Sequence, residues 1–244
     1  AHEFQHMVDF GVKTIGSNGS IQSDTWYNEM KSMLCEDIMK QYLKDNNSDF
    51  TDEDSPFDRL PMFCRHYYDT GLEYKQTGTY DVYYSYANNY AFGAWAARNY
   101  GGISFINKIA TNSSVDIESI VSAAGTSIED LLKNYTCDCV LSRSDYGFNK
   151  SLSQTEFSYT YATGKTYYYP LDSVNLWNLG TVLPNSYTSY KKNPSGYSAY
   201  YSYDGPVYFG YNAQQDIRPY GITLVKVGTS TSSEVNLRFN INNV

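Results

Sequence analysis

The sequence His2-Glu3-Phe4-Gln5-His6 predicts a helix with a metal site on one face. Residues four apart on an α-helix lie on the same face, one turn apart, so His2 and His6 can bind one ion. Imidazole nitrogen is a preferred zinc ligand, whereas Glu3 lies beside the ion without binding it. There Glu3 is predicted to act as a general base and take a proton from a water that the metal activates. Two of the three histidines of the chain belong to this motif, which argues against a chance match.

A catalytic zinc needs a third protein ligand and leaves one position for water. The metzincin pattern is excluded, because Asp9 and Val12 stand where it requires a glycine and a third histidine. Glu29, on the next predicted helix, is the best candidate, since a helix packed antiparallel on the first can bring its carboxylate to the metal. Glu36 lies two turns later on the same face, and it is either an alternative ligand or a group that holds a ligand imidazole. His66 is the remaining alternative ligand.

The composition excludes several classes of function. The chain of 244 residues has a net charge of −8 and no run of Lys or Arg longer than two, so nucleic acid is not an expected partner. No stretch approaches the roughly 18 consecutive apolar residues of a membrane-spanning helix. The low lysine content and a second half rich in Ser, Thr, Asn and Tyr favour a secreted or cell-surface protein. Cys35 and Cys64 could form a disulfide there, or remain two ordinary thiols.

The spacing of apolar residues predicts a mainly helical first part and a β-rich remainder. Predicted helices cover residues 1–12, 26–44, 82–100, 115–124 and 127–141, with a turn-rich loop over residues 45–61. Beyond Ser142 alternation replaces helical spacing, and strands are predicted over residues 222–227 and 235–242. The expected fold class is therefore α+β, with a helical portion over residues 1–143 and a Tyr-rich, β-rich region over residues 144–244.

Three segments together resemble the hyicolysin-like family of gluzincin zinc metallopeptidases. They are residues 2–7 (HEFQHM), residues 26–30 (WYNEM) and residues 36–37 (ED). The resemblance implies a zincin-like catalytic half in residues 1–143. In gluzincins an Asn-Glu pair that opens the second helix supplies the third zinc ligand, and this role carries over to Glu29.

Outside those segments the resemblance is looser, and it extends to residues 86–101 and 217–229. One position departs from the family pattern. Some gluzincins place an acidic partner of the ligands one turn after the third ligand, where this chain has Met33. Glu36 or Asp9 is then left to orient the histidines.

Stabilisation of the oxyanion requires a donor on the side opposite Glu3, commonly a tyrosine or histidine in this class. Tyr83, Tyr86 and Tyr90 share a face of the helix predicted over residues 82–100. Tyr86 and Tyr90 are the candidates for this role.

In gluzincins a β-sheet precedes the HExxH helix, and its edge strand holds the substrate backbone. The motif of this chain begins at residue 2. The resemblance therefore implies an upstream part of the same polypeptide, and we expect the chain alone to bind zinc weakly and to be inactive.

The leading hypothesis is a secreted or surface zinc endopeptidase that acts on protein or peptide substrates, with Zn²⁺ held by His2, His6 and Glu29. The alternative is a surface binding module with a vestigial metal site. Its β-rich region would recognise polysaccharide or protein through some of the 27 tyrosines of the chain. A zinc hydrolase that acts on a non-peptide amide is the third hypothesis.

Overall fold

A computed structural model describes residues 1–47, 49, 59–73, 82–140, 156–171, 174, 176, 206–210 and 215–228. Seven α-helices are present in these ranges: α1 His2–Asp9, α2 Thr25–Asn46, α3 Arg59–His66, α4 Val82–Asn99, α5 Ile103–Thr111, α6 Ile117–Ala124 and α7 Ile128–Val140. Four strands accompany them: β1 Glu156–Thr160, β2 Thr166–Pro170, β3 Phe209–Gly210 and β4 Val225–Lys226. The α+β class with a mainly helical architecture is confirmed.

Helix α4 is the centre of the fold and packs against both α2 and α3. Its small residues, among them Ala87, Ala91 and Ala94, are fully buried and allow the neighbouring helices to approach closely. The closest approach is at Gly93, where an added Cβ would lie only 2.6 Å from Cγ of Met30 on α2. A side chain at this position would therefore require the Met30 side chain to move.

Helix α1 lies on α2 and continues into a π-helical turn, Phe10–Thr14, and a 3₁₀ turn, Ile15–Ser17. A buried ion pair between Asp9 and Lys31 connects the end of α1 to α2. Burial lowers the pKa of Lys31 to about 7. This contact fixes the position of α1 relative to α2.

The strands form two small sheets. β1 and β2 are antiparallel with Phe157 opposite Tyr169, whereas β3 and β4 are parallel. Phe157 and Tyr169 belong to the same hydrophobic core as the helices, so the described hairpin is packed onto the helical portion. The strand predicted over residues 222–227 is reduced to β4, and the one over residues 235–242 lies outside the described residues.

Two further predictions are resolved by the structure. None of the four cysteines forms a disulfide, so Cys35 and Cys64 remain thiols. Among the described residues no helix has an apolar stretch long enough to cross a membrane, in agreement with the composition.

Candidate metal centre

Side chains from α1 and α2 meet at one point on the surface of the helical portion. The ligand atoms offered by His2, His6 and Glu29 all lie within 4.8 Å of one another. Nε2 of His2 is 3.2 Å from Oε2 of Glu29, and Nε2 of His6 is 3.8 Å from the same oxygen. The ring centroids of the two histidines are 4.8 Å apart. The structure thus brings together the three residues that the spacing and the resemblance single out.

The other nitrogen of each imidazole is held by a polar group of α2. Nδ1 of His2 is 2.5 Å from Oε1 of Glu36. Nδ1 of His6 is 3.1 Å from both Oδ1 of Asn28 and Oγ of Ser32. Since acceptors face both Nδ1 atoms, the rings favour the tautomer with hydrogen on Nδ1 and a lone pair on Nε2. Both lone pairs then point toward the Glu29 carboxylate.

Glu36 is itself held in place by an arginine from α3. Nη1 of Arg59 donates to Oε2 of Glu36 at 2.6 Å, and the two side chains are each about 25% exposed. A chain of contacts thus runs from Arg59 through Glu36 to His2. Of the two roles considered for Glu36, the structure therefore favours the support of a ligand imidazole over direct ligation.

The remaining alternatives lie elsewhere. The ring of His66 stacks on Tyr84 at 3.6 Å, and its Nδ1 is 2.9 Å from Asp69, so His66 is not part of the cluster. Asp9 pairs with Lys31 and does not orient either histidine. Of the alternatives left open by the sequence, these contacts argue against His66 as the third ligand and against Asp9 as the group that orients the histidines.

Two imidazole nitrogens and a carboxylate oxygen are the kinds of ligand atom that zinc accepts, and these atoms lie within 4.8 Å of one another. Tetrahedral coordination with bonds of about 2.0–2.1 Å separates ligand atoms by about 3.3 Å. The distances of 3.2 and 3.8 Å from the two imidazoles to the Glu29 carboxylate are close to this value. Hydrogen bonds from His2 to Glu29 and Glu36 would account for its two contacts without a metal. They leave Nε2 of His6, 3.8 Å from the same oxygen of Glu29, without a hydrogen bond to it.

The proposed catalytic groups have different surroundings. Glu3 is exposed on α1, adjacent to His2. Tyr86 hydrogen-bonds Glu29, and burial together with the Glu29 carboxylate raises the pKa of its hydroxyl, so Tyr86 keeps its proton at neutral pH. Tyr90 is fully buried beneath Arg59 and is not accessible to a substrate, so its expected role at the oxyanion is wrong.

A cavity of about 380 Å³ adjoins the metal centre. Glu29 and Tyr86 line the cavity and also belong to that centre. The cavity extends along the first turn of α2 to Leu72 and Glu73, which follow α3 in the sequence. Its other walls include Asp24, Trp26, Glu73 and Asn89.

Comparison with known proteins adds no further assignment. No family model matches the sequence, and neither curated proteins nor solved structures show significant similarity to it. The functional interpretation therefore depends on the site itself.

The supporting contacts of Asn28, Ser32 and Arg59 were not predicted from the sequence, whereas that of Glu36 was. Asn28 and Ser32 precede Glu36 at intervals of four, which places all three on one face of α2, and this spacing could have identified the first two. Arg59 carried no such signal, because its contact with Glu36 depends on how α3 packs across the fold.

Proposed function

We propose that this chain carries the catalytic centre of a zinc-dependent endopeptidase of the gluzincin type, acting on secreted or surface-accessible proteins and peptides. One observation carries the proposal. Two imidazole Nε2 atoms and a carboxylate oxygen converge on one point, while polar groups hold both Nδ1 atoms. In a cluster of surface side chains without a shared ligand, nothing requires both Nε2 atoms to face one carboxylate while both Nδ1 atoms are hydrogen-bonded.

In the proposed reaction His2, His6 and Glu29 hold the ion. Zinc at such a centre acts as a Lewis acid that activates water and polarises a carbonyl group. Glu3 accepts the proton of the attacking water and can pass it to the leaving amine. Tyr86 keeps its hydroxyl proton and is the candidate donor to the developing oxyanion.

The outer face of α1 supports an association with a further part of the same polypeptide. Phe4, Met7, Phe10 and Ile15 are between 56% and 69% exposed. Phe4 and Met7 lie on α1, and Phe10 and Ile15 lie on the two turns that follow it. Large apolar side chains exposed along consecutive turns indicate a surface that another element covers. We propose that an upstream segment packs there and provides the strand that holds the substrate backbone, as the resemblance implies.

The primary test combines metal analysis with the Glu3→Ala variant. The wild type, expressed with the upstream part of its polypeptide, is expected to bind one zinc per chain and to digest casein or a peptide library, with loss of activity on chelation. Glu3→Ala should reduce hydrolysis at least about a thousandfold with zinc content unchanged, because Glu3 is not a ligand.

Glu129→Ala is a matched control, since Glu129 is an exposed glutamate at the start of α7, outside the cluster. Its activity and zinc content should equal those of the wild type. Full activity in the zinc-free protein, or in Glu3→Ala, would contradict the assigned roles.

A surface binding module is the second candidate function, and exposed tyrosines on the hairpin favour it. Tyr168 on β2 is 59% exposed and Tyr159 on β1 is 40% exposed. Such rings suit the binding of sugars or peptides. Under this alternative, Tyr159→Ala with Tyr168→Ala abolishes retention on polysaccharide or protein, whereas Glu3→Ala and zinc removal have no effect.

A further inference from the structure

The tail segment, residues 215–228, packs closely against the residues that follow α3. An added Cβ at Gly71 would overlap the carbonyl oxygen of Pro219. An added Cβ at Gly221 would lie only 2.8 Å from the carbonyl oxygen of Thr70. The two backbones are therefore in direct contact, and each contact requires a glycine on one side.

A second segment, residues 206–210, extends this interface. The hydroxyl of Tyr67 donates to the carbonyl oxygen of Val207 at 2.7 Å. The rings of Tyr68 and Phe209 meet edge to face, with centroids 5.5 Å apart. Strand β3 of this segment pairs with β4 of the tail segment, so the two segments cover the end of α3 and the residues after it as one unit.

The covered residues continue into a wall of the cavity beside the metal centre. Leu72 and Glu73 line this cavity together with Glu29 and Tyr86. Leu72 is 1% exposed and belongs to the hydrophobic core. Because Leu72 directly follows Gly71, the contact between the two backbones limits where this wall can lie.

Tyr220 of the tail segment has a backbone conformation that tyrosine rarely adopts. Its φ is 53°, and among the described residues only one other non-glycine residue, Asn18, has a positive φ. Asparagine adopts this conformation much more readily than a bulky residue does. The amide of Gly221 donates to the carbonyl oxygen of Arg218, so Tyr220 is the third residue of a β-turn, where a positive φ favours glycine. Such conformations are concentrated at functional sites, where the surroundings hold them.

The side chain of Tyr220 lies beside the cavity wall. It is half-buried against the core. Burial, followed by the carboxylates of Glu73, Glu118 and Asp116, raises the pKa of its hydroxyl, so Tyr220 is neutral at physiological pH. The ring therefore packs next to Glu73 without adding a further negative charge.

We infer that the turn around Tyr220 is a positioning element of the candidate active site, which holds residues 70–73, and with them the cavity wall, in place beside the metal centre. The described residues that line the cavity do not include Tyr220, so it acts through Leu72 and Glu73. The effect on substrate rests on the proposed endopeptidase function. The inference also places residues 206–210 and 215–228 in the same functional unit as the metal centre.

The kinetic test uses variants of Tyr220 in the protein expressed with the upstream part of its polypeptide. Tyr220→Gly accepts the positive φ and removes the ring. It should raise KM for peptide substrates about tenfold with kcat and zinc content nearly unchanged, because the ring contacts neither the metal nor its ligands. Tyr220→Phe keeps the ring and should retain the wild-type KM. Asn18→Gly is the matched control at the other positive φ and should have no effect.

Hydrogen exchange followed by mass spectrometry tests the positioning without a substrate. In Tyr220→Gly the amides of residues 67–73 should exchange about tenfold faster, whereas those of the β1–β2 hairpin should not change. Gly71→Ala displaces Pro219 from the other side and should give the same pattern. Tyr220→Asn, which also tolerates a positive φ, replaces Tyr220→Gly in both measurements if that variant does not fold.

The two measurements separate this inference from the proposed function. Faster exchange of residues 67–73 in a protein whose wild type cleaves no peptide would overturn the peptidase and retain the role of the turn in fixing the cavity wall. Unchanged exchange in both variants overturns the inference, whatever the activity. Faster exchange with an unchanged KM also overturns it and leaves the peptidase standing. Loss of zinc in Tyr220→Gly would mean that the turn supports the metal ligands, and its assignment to the cavity wall would be wrong.

Discussion

Two neighbouring residues of α2, Glu36 and Asp37, each contact an arginine but belong to different regions of the molecule. Glu36 pairs with Arg59 at the metal centre, where both side chains are about a quarter exposed. Asp37 faces Arg98 of α4 at 2.8 Å, and both are almost completely buried. The same pair of charges therefore lies beside the candidate metal site on one side of the helix and within the core on the other.

Asp37 and Arg98 are positioned mainly by the residues packed around them, and not by an ideal hydrogen bond between the two side chains. Asp37 and Arg98 are close in distance but are not aligned as donor and acceptor. Arg98 also donates to the carbonyl oxygen of Ala94 and reaches that of Pro170 on β2. It thus connects α2, α4 and the hairpin. Burial makes the loss of either partner costly, although the pair itself need not add much stability.

The largest expected effect comes from breaking the buried pair. Arg98→Met should lower the free energy of unfolding by about 3–5 kcal/mol, because it leaves the Asp37 carboxylate buried without a counter-charge. Urea denaturation followed by circular dichroism measures the change. Combining Arg98→Met with Asp37→Leu should restore much of the loss. A single variant as stable as the wild type would show that Asp37 is solvated or protonated in the folded protein.

An intermediate effect is expected from the partly exposed contacts that join Arg59, Glu36 and His2. Glu36→Gln should weaken zinc binding about 10–100-fold, because the amide holds His2 less firmly and no longer increases the basicity of its ring. Competition with a chromogenic chelator measures the affinity. The free energy of unfolding of the metal-free protein should change by less than about 1 kcal/mol. A large loss of stability with unchanged zinc affinity would reverse the roles given to the two regions.

The smallest effect is expected at Arg59. Arg59→Gln should weaken zinc binding by less than about fivefold, since a partly exposed ion pair contributes about 0.2–1 kcal/mol. The difference should shrink further between 0.05 and 0.5 M NaCl, because salt screens exposed charges. The decrease in the free energy of unfolding caused by Arg98→Met should hardly change over the same range of salt concentration. Equal salt sensitivity of the two variants would contradict the difference in burial.

The long helices and the short helices α6 and α7 could be predicted from the sequence, whereas α3 and α5 could not. Residues 26–44 predict α2, which extends over Thr25–Asn46, because the apolar stripe and Asp24 mark its course. The Gly101-Gly102 pair correctly ends α4, with φ angles of 108° and 59°. Helix α5 begins at once after these glycines and was therefore missed. Helix α3 was missed because it contains Pro61, which its first turn tolerates.

The hairpin escaped prediction because tyrosines occupy both of its faces. Tyr167 and Tyr169 are buried, whereas Tyr168 between them is exposed, so the alternation of burial is hidden in the sequence. The convergence of His2 and His6 with Glu29 was predictable from helical spacing and the resemblance, and their role as zinc ligands stays a prediction. Tyr90 was wrongly predicted to contact the oxyanion, because the helix that carries it is buried on nearly every side.

The close approach of α2 and α4 at Gly93 also affects residues outside the core. Met30, which contacts this glycine, is the neighbour of Glu29, and Gly93 lies about two turns from Tyr86 along α4. The absence of a side chain at Gly93 therefore lets Met30, next to the proposed ligand Glu29, pack against the helix that carries Tyr86. An alanine at this position would displace the Met30 side chain, and the disturbance would begin one residue from the proposed third ligand.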